Sequence, residues 1–191
     1  FGNLSGMGAS KYAKELSEIP QFRDEDVKKI IRNATSILNR EKGENPYLLH
    51  EELQKNMQNN VGIIRTDSEL KEGIKNIEKL KEKNKNVKAN GSSQFNPGWH
   101  EALAMRNLLI TAEAVARAAD LRTESRGAHT RDDFTTESEE WYEYNIISKK
   151  GADGNMQVVK EKRQEPNAEL YRIANSELED LESEVAVERK S

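Results

Sequence analysis

Cysteine is absent from the 191 residues, which excludes disulfides, thiolate chemistry, Cys-ligated zinc and Cys-held iron–sulfur clusters within this chain. No apolar run approaches the roughly 18 residues that a membrane-crossing helix needs. No basic cluster stands out either. Lys and Arg are interspersed among Asp and Glu and the net charge is −4, so the electrostatic footprint of a nucleic-acid surface is missing. His occurs only three times. His50-Glu51 and His100-Glu101 each start like the helical zinc-protease motif, yet neither has a second His four residues on, the spacing that sets two ligands on one helical face. The sequence therefore predicts no metal site. Also missing is the glycine fingerprint of a dinucleotide-binding βαβ unit, which must follow a strand and open a helix. The nearest approach, Gly6-Met7-Gly8-Ala9-Ser10-Lys11, has Lys in place of the third Gly and no β-branched run before it. It reads as a flexible lead-in to a helix.

What is present is helical periodicity. Hydrophobic residues make up 35% of the chain and charged residues 34%, a ratio that permits only a thin, elongated core and suits a bundle of amphipathic helices. Val27, Ile30, Ile31, Ala34, Ile37 and Leu38 fall on one stripe of a helix that opens near Asp24 and ends before Gly43. A second helix opens at Asn45-Pro46, where Pro costs nothing, and carries Leu49, Leu53, Met57 and Val61 at four-residue spacing. A third starts at Thr66-Asp67-Ser68-Glu69, with Leu70, Ile74, Ile77 and Leu80 forming one narrow seam. So polar a helix needs neighbours to cover that seam.

Residues 84–94, with Asn90-Gly91-Ser92-Ser93, read as an exposed connection. The run from Trp99 to Leu121 is the most apolar of the chain and rich in Ala, which predicts the central, most buried helix. After Phe134 the period changes to two: Trp141, Tyr142, Tyr144, Ile146 and Ile147, then Gly151-Ala152-Asp153-Gly154, then Met156, Val158 and Val159. That is a β-hairpin signal. Pro166 ends it. Beyond, Ala174, Leu178, Leu181 and Val185 repeat at helical spacing in an acidic tail, which predicts a tail helix, docked or frayed. The expected fold is mainly α: a three-to-four-helix, spectrin-repeat-like bundle with a C-terminal β-hairpin and tail helix.

The densest chemistry lies directly after the Ala-rich helix, in Glu124-Ser125-Arg126-Gly127-Ala128-His129-Thr130-Arg131-Asp132-Asp133-Phe134. Two Arg, one His and three carboxylates in eleven residues imply an ion-pair network. A catalytic triad of Ser125, His129 and Asp132 or Asp133 is not expected, because adjacency in sequence does not supply the fixed geometry a triad needs. Arg126 and Arg131 carry planar forks that match carboxylates bidentately, and Gly127 lets the chain turn between them. A structural clamp of Ser125, Arg126, His129 and Arg131 is the expectation, with a direct role beside a flavin left open.

This stretch, with Phe95-Asn96 and Trp99 upstream, resembles the C-terminal helical domain of the succinate dehydrogenase and fumarate reductase flavoprotein subunit, whose pattern runs Phe-Asn, Trp, then Glu-Ser-Arg-Gly-Ala-His-x-Arg-x-Asp-Phe-Pro. Leu53, Met57, Val61-Gly62-Ile63, Arg65 and Leu70 look like the same family's three-helix segment. Phe1-Gly2, Gly6 and Ala9 to Ala13 look like the tail of its last FAD-domain helix. Two positions depart: Thr135 stands where the family has Pro, and Glu137 where it has a basic residue. The resemblance implies a piece of a larger subunit: 1–20 as the end of an FAD-domain helix and linker, 21–134 as the bundle, 135–165 as a hairpin appendage and 166–191 as an acidic tail. It implies FAD in the parent subunit but no cofactor, catalytic residue or metal in this piece, which alone would be inactive. The clamp would be interdomain. Partners would be the FAD-binding domain of the same subunit and the iron–sulfur subunit, with no nucleic acid and no direct membrane insertion. The parent would be an FAD-dependent oxidoreductase moving a hydride between succinate/fumarate and FAD, cytoplasmic and peripheral to the membrane through partner subunits. L-aspartate oxidase, with a similar Ser-Arg-Gly-x-His stretch, is the enzymatic alternative. A stand-alone helical interaction module is the non-enzymatic one.

Overall fold

In a computed structural model of the chain, residues 1–19 and 21–178 are described. In order, the elements are α1 (Gly2–Glu15), α2 (Asp24–Ser36), α3 (Pro46–Asn60), β1 (Ile64–Arg65), α4 (Asp67–Asn84), α5 (Pro97–Leu121), β2 (Thr130–Arg131), the helical turn α6 (Glu139–Tyr142), β3 (Tyr144–Lys150), β4 (Met156–Lys162) and α7 (Ala168–Ala174). The fold is mainly helical, of the bundle class, with a small antiparallel hairpin and a short helix after it. Leu181 and Val185 of the expected tail helix lie outside the described residues. Two compact units are present, Phe1–Gln54 with Glu78–Leu109, and Lys55–Ile77 with Ile110–Ser191.

In the first unit, Leu49, Leu53, Leu80, Val87, Ala102, Met105 and Leu109 are buried. Burying a Leu side chain fully stabilises by about 1.5–3 kcal/mol. The start of α5 is set by Asn96, whose Oδ1 accepts the Trp99 amide (2.9 Å) while its Nδ2 donates to the Asn90 and Ser92 carbonyls (2.8 Å each). That is an N-cap with Pro97 behind it at the first helical position. Trp99 Nε1 donates to the Ala34 carbonyl (2.8 Å). Helix α2 stops at Ser36, short of Gly43, because the residues that follow turn to backbone pairing. Ala89 N donates to Ile37 O (3.2 Å), Glu44 N to Asn86 O (2.9 Å) and Lys88 N to Glu44 O (2.9 Å). Gly43 is required there, since a Cβ would come within 2.3 Å of the Asn86 carbonyl oxygen. Of the expected stripe, Val27, Ile30, Ile31 and Ala34 lie in α2 while Ile37 and Leu38 follow its end; Ile30 and Ile31 stay 69% and 55% exposed and only Ile37 is buried.

In the second unit the core comprises Val61, Leu70, Ile77, Ala112, Ala116, Ala119 and Trp141. In this part of α5 the buried positions 112, 116 and 119 fall at four- and three-residue steps, which keeps one narrow face inward. Thr66 and Glu69 form a capping box at α4, in which Glu69 Oε2 accepts the Thr66 amide (3.0 Å) and hydroxyl (2.7 Å). A feature that periodicity does not reveal is the parallel pairing of β1 with β2, with Ile64 opposite Thr130 and Arg65 opposite Arg131.

Two local expectations are corrected. Trp141 and Tyr142 belong to α6 and not to a strand; the period-two pattern starts at Tyr144 and runs through β3, paired with β4 from Tyr144↔Lys162 to Lys150↔Met156. Trp141 is buried because Arg122 and Lys160 lie over its ring, at 4.8 and 4.3 Å from the centroid. The Gly6-Met7-Gly8 stretch is no lead-in but lies inside α1, which already begins at Gly2.

Candidate functional site

The second unit gathers the polar stretch after α5 into a network built on two carboxylate–guanidinium forks. Arg131 is 1% exposed. Its Nε and Nη2 donate to Asp133 Oδ1 (2.7 Å) and Oδ2 (2.8 Å), and its Nη1 to the carbonyls of Ala119 (3.1 Å), Asp120 (3.3 Å) and Arg122 (3.3 Å). These are the open carbonyls at the end of α5, where the helix dipole favours a cation. Asp133 Oδ2 also accepts the amide of Asp67 at the start of α4 (2.8 Å), where the dipole favours an anion. The Arg131 hydrogen bond holds the Asp133 carboxyl well below the usual carboxylate range, and Asp133 raises Arg131 in return.

Glu124 is completely buried and receives the other fork. Arg126 Nε and Nη2 donate to its Oε1 (3.0 Å) and Oε2 (2.8 Å), Arg122 Nη1 to Oε1 (2.5 Å), and the Ser138 amide to Oε2 (2.9 Å). Foremost through the Arg126 bond, with burial opposing, the Glu124 carboxyl is pulled down from 4.5 to about 2. Arg126 lies 3.6 Å from the centroid of the Tyr142 ring and also donates to Glu137 (3.2 Å). Glu137, the position that departs from the resembled pattern, thus accepts both Arg126 and the Tyr142 hydroxyl (2.7 Å).

Ser125 and His129 fix the backbone between the forks. The Ser125 hydroxyl accepts the Arg131 amide (2.8 Å) and donates to the Phe134 carbonyl (2.8 Å). A tight turn closes through Arg126 N to His129 O (2.8 Å) and His129 N to Arg126 O (2.9 Å), with Gly127 in the left-handed region at φ +56°. His129 Nδ1 meets Arg65 Nη1 at 2.7 Å, and its Nε2 meets the Arg122 carbonyl at 3.1 Å. A guanidinium only donates and a carbonyl only accepts. His129 is therefore neutral, with its proton on Nε2. Burial first, then the charges of Arg65, Arg131 and Arg122, push its pKa below the ordinary histidine value.

Ser125, Arg126, His129 and Arg131 are thus brought into one network. The geometry gives no triad. Ser125 is spent on backbone groups, and His129 reaches neither Ser125 nor an Asp carboxylate. Arg65, Arg122, Glu137 and Tyr142 join the network without having been expected as members. One signal for the forks is in plain view in the sequence: Glu124/Arg126 and Arg131/Asp133 are both i, i+2 pairs, which share a face in extended backbone. In the first unit, His50 of α3 pairs with Glu101 of α5 (2.5 Å), linking the two discarded His-Glu motifs.

No group of three metal-ligating side chains is found among the described residues. The amides of Gly6 and Gly8 lie within a helix and not at a strand-to-helix turn, so this stretch does not form a phosphate cradle. No described helix is long and apolar enough to cross a membrane.

Residues 50–179 match the model of the fumarate reductase flavoprotein C-terminal family. An uncharacterized FAD-dependent oxidoreductase of Methanocaldococcus jannaschii is 37% identical over 154 residues, 78% of this chain and 26% of that protein. The succinate dehydrogenase flavoprotein subunit of Coxiella burnetii is 36% identical over 110 residues, 56% of this chain and 19% of that protein. Among solved structures, the apo Sdh1 complex of Mycobacterium smegmatis contains a chain that superposes with a TM-score of 0.82 at 37% identity, covering 93% of this chain and 30% of that one. This chain spans about a quarter of the length of the curated relatives it matches.

Proposed function

The chain belongs to the fumarate reductase flavoprotein C-terminal family, and on that premise we propose that it is the C-terminal domain of a succinate dehydrogenase or fumarate reductase flavoprotein subunit. In such a subunit, FAD held elsewhere supplies the hydride chemistry between succinate and fumarate. This chain's own residues supply no reacting group. They form a rigid platform that packs on the FAD-binding portion, supports flavin retention and assembly with an iron–sulfur subunit, and meets the membrane only through partner subunits.

The observation that carries this reading is the spending of the site's polar groups. Arg131, Glu124 and Ser125 have their hydrogen-bonding capacity turned inward, to helix ends and backbone. Such a network orders a segment and leaves little to bind substrate. Purification of the chain followed by gel filtration tests it. The eluted protein should carry no flavin absorbance and reduce no fumarate, whereas stoichiometric flavin would refute the platform role.

A further inference from the structure

Four arginines meet in the network, and Arg65 differs from the other three. Arg122 and Arg126 donate to Glu124, and Arg131 to Asp133. Arg65 has no carboxylate among the described residues. Its Nε is used by the Gly62 (2.7 Å) and Val61 (3.3 Å) carbonyls and its Nη1 by His129, while Nη2 has no partner among the described residues. A half-buried guanidinium of this kind normally faces a carboxylate. Its partner in the β1–β2 register is a second cation, Arg131, whose charge bears unfavourably on it. Immediately before it, Ile63 and Ile64 are 77% and 61% exposed. A half-buried cation whose Nη2 has no partner among the described residues, flanked by exposed large apolar side chains, has the make-up of an interface anchor.

We propose that the outer Nη1/Nη2 edge of Arg65 receives a carboxylate side chain from the FAD-binding portion of the same subunit, with Ile63 and Ile64 covered in the same contact. This rests on the platform reading above. Charge complementarity selects a carboxylate, because two parallel N–H groups match its two oxygens. A free dicarboxylate is disfavoured, since the forks of Arg126 and Arg131 are filled by Glu124 and Asp133 and offer its second carboxylate no cation. A protein side chain gains the apolar contact that a small anion lacks.

The test uses the flavin-containing subunit with Arg65→Lys and a zero-length carbodiimide coupling reagent, followed by peptide mass mapping. An amide bond between position 65 and an Asp or Glu outside residues 1–191 is the expected result. Couplings between the two portions that leave position 65 free would overturn this inference while preserving the platform reading; no coupling between the portions would overturn both. Arg65→Glu should lower flavin retention at least tenfold, and reversing the charge of the coupled partner should restore it. Failure of that rescue overturns the contact. Succinate binding should be the same in wild type and Arg65→Gln by calorimetry, and its loss in the variant would assign the edge to a free dicarboxylate instead.

Discussion

Arg131 and Asp133 form a bidentate pair, Nε–Oδ1 at 2.7 Å and Nη2–Oδ2 at 2.8 Å, that joins two helix ends at once. The guanidinium serves the last carbonyls of α5, and the carboxylate serves the first amide of α4. One ion pair thus satisfies orphan groups of both signs. The neighbouring parallel β1–β2 register puts the Arg131 backbone beside Arg65.

Arg131→Lys should therefore behave as a disruptive change. An ammonium presents a point charge and cannot span Asp133 and three carbonyls from a buried position. We expect a loss of about 3 kcal/mol, the scale for breaking a buried pair, read by urea denaturation. A midpoint equal to wild type would show that the fork carries little stability.

Stability should fall with acid in two windows. His129 has a folded pKa below its ordinary 6.5, so its contribution is complete above 6.5 and is lost as pH falls through the lower folded value. Glu124, lowered from 4.5 to about 2, contributes about 3 kcal/mol above 4.5 that is lost as pH falls toward 2. Asp133 acts in the same direction. Urea melts of wild type and His129→Gln between pH 7 and 5 isolate the first window. The wild type should lose more stability across it than the variant; parallel declines would show that His129 contributes nothing there.

Helices were legible where their burial is settled by neighbours in sequence. The seam of Leu70, Ile74, Ile77 and Leu80 and the Ala-rich run of α5 follow from 3.6-residue periodicity; Leu70, Ile77, Leu80, Ala102, Ala112, Ala116 and Ala119 are buried, while Ile74 is half-buried. The Thr66-Asp67-Ser68-Glu69 start of α4 was legible from its capping chemistry, whereas α5 starts at Pro97, two residues before the expected Trp99, because Asn96 caps it. Trp141 misled because an apolar side chain in a polar stretch fits a strand as well as a single helical turn, and only Arg122 and Lys160 over its ring decide. At the site, residue types revealed the density of ion pairs. Arg65 and His129, 64 positions apart, meet only because β1 pairs with β2, and a two-residue strand leaves no periodic trace.

Phe95 supports the last prediction. It is fully exposed and sits in the left-handed region at φ +50°, where a bulky side chain is an outlier costing about 1–3 kcal/mol. The cause lies next door: Asn96 must bond Asn90, Ser92 and Trp99 at once, and the chain reaches that geometry only by turning through Phe95. Asn tolerates this backbone far better. With no buried contact to lose, Phe95→Asn should stabilise the chain by up to about 1 kcal/mol, whereas Phe95→Val, β-branched at positive φ, should destabilise it. Thermal melts of both variants decide. If Phe95→Asn melts below wild type, the exposed ring makes a stabilising contact within this chain that outweighs the backbone strain at this position.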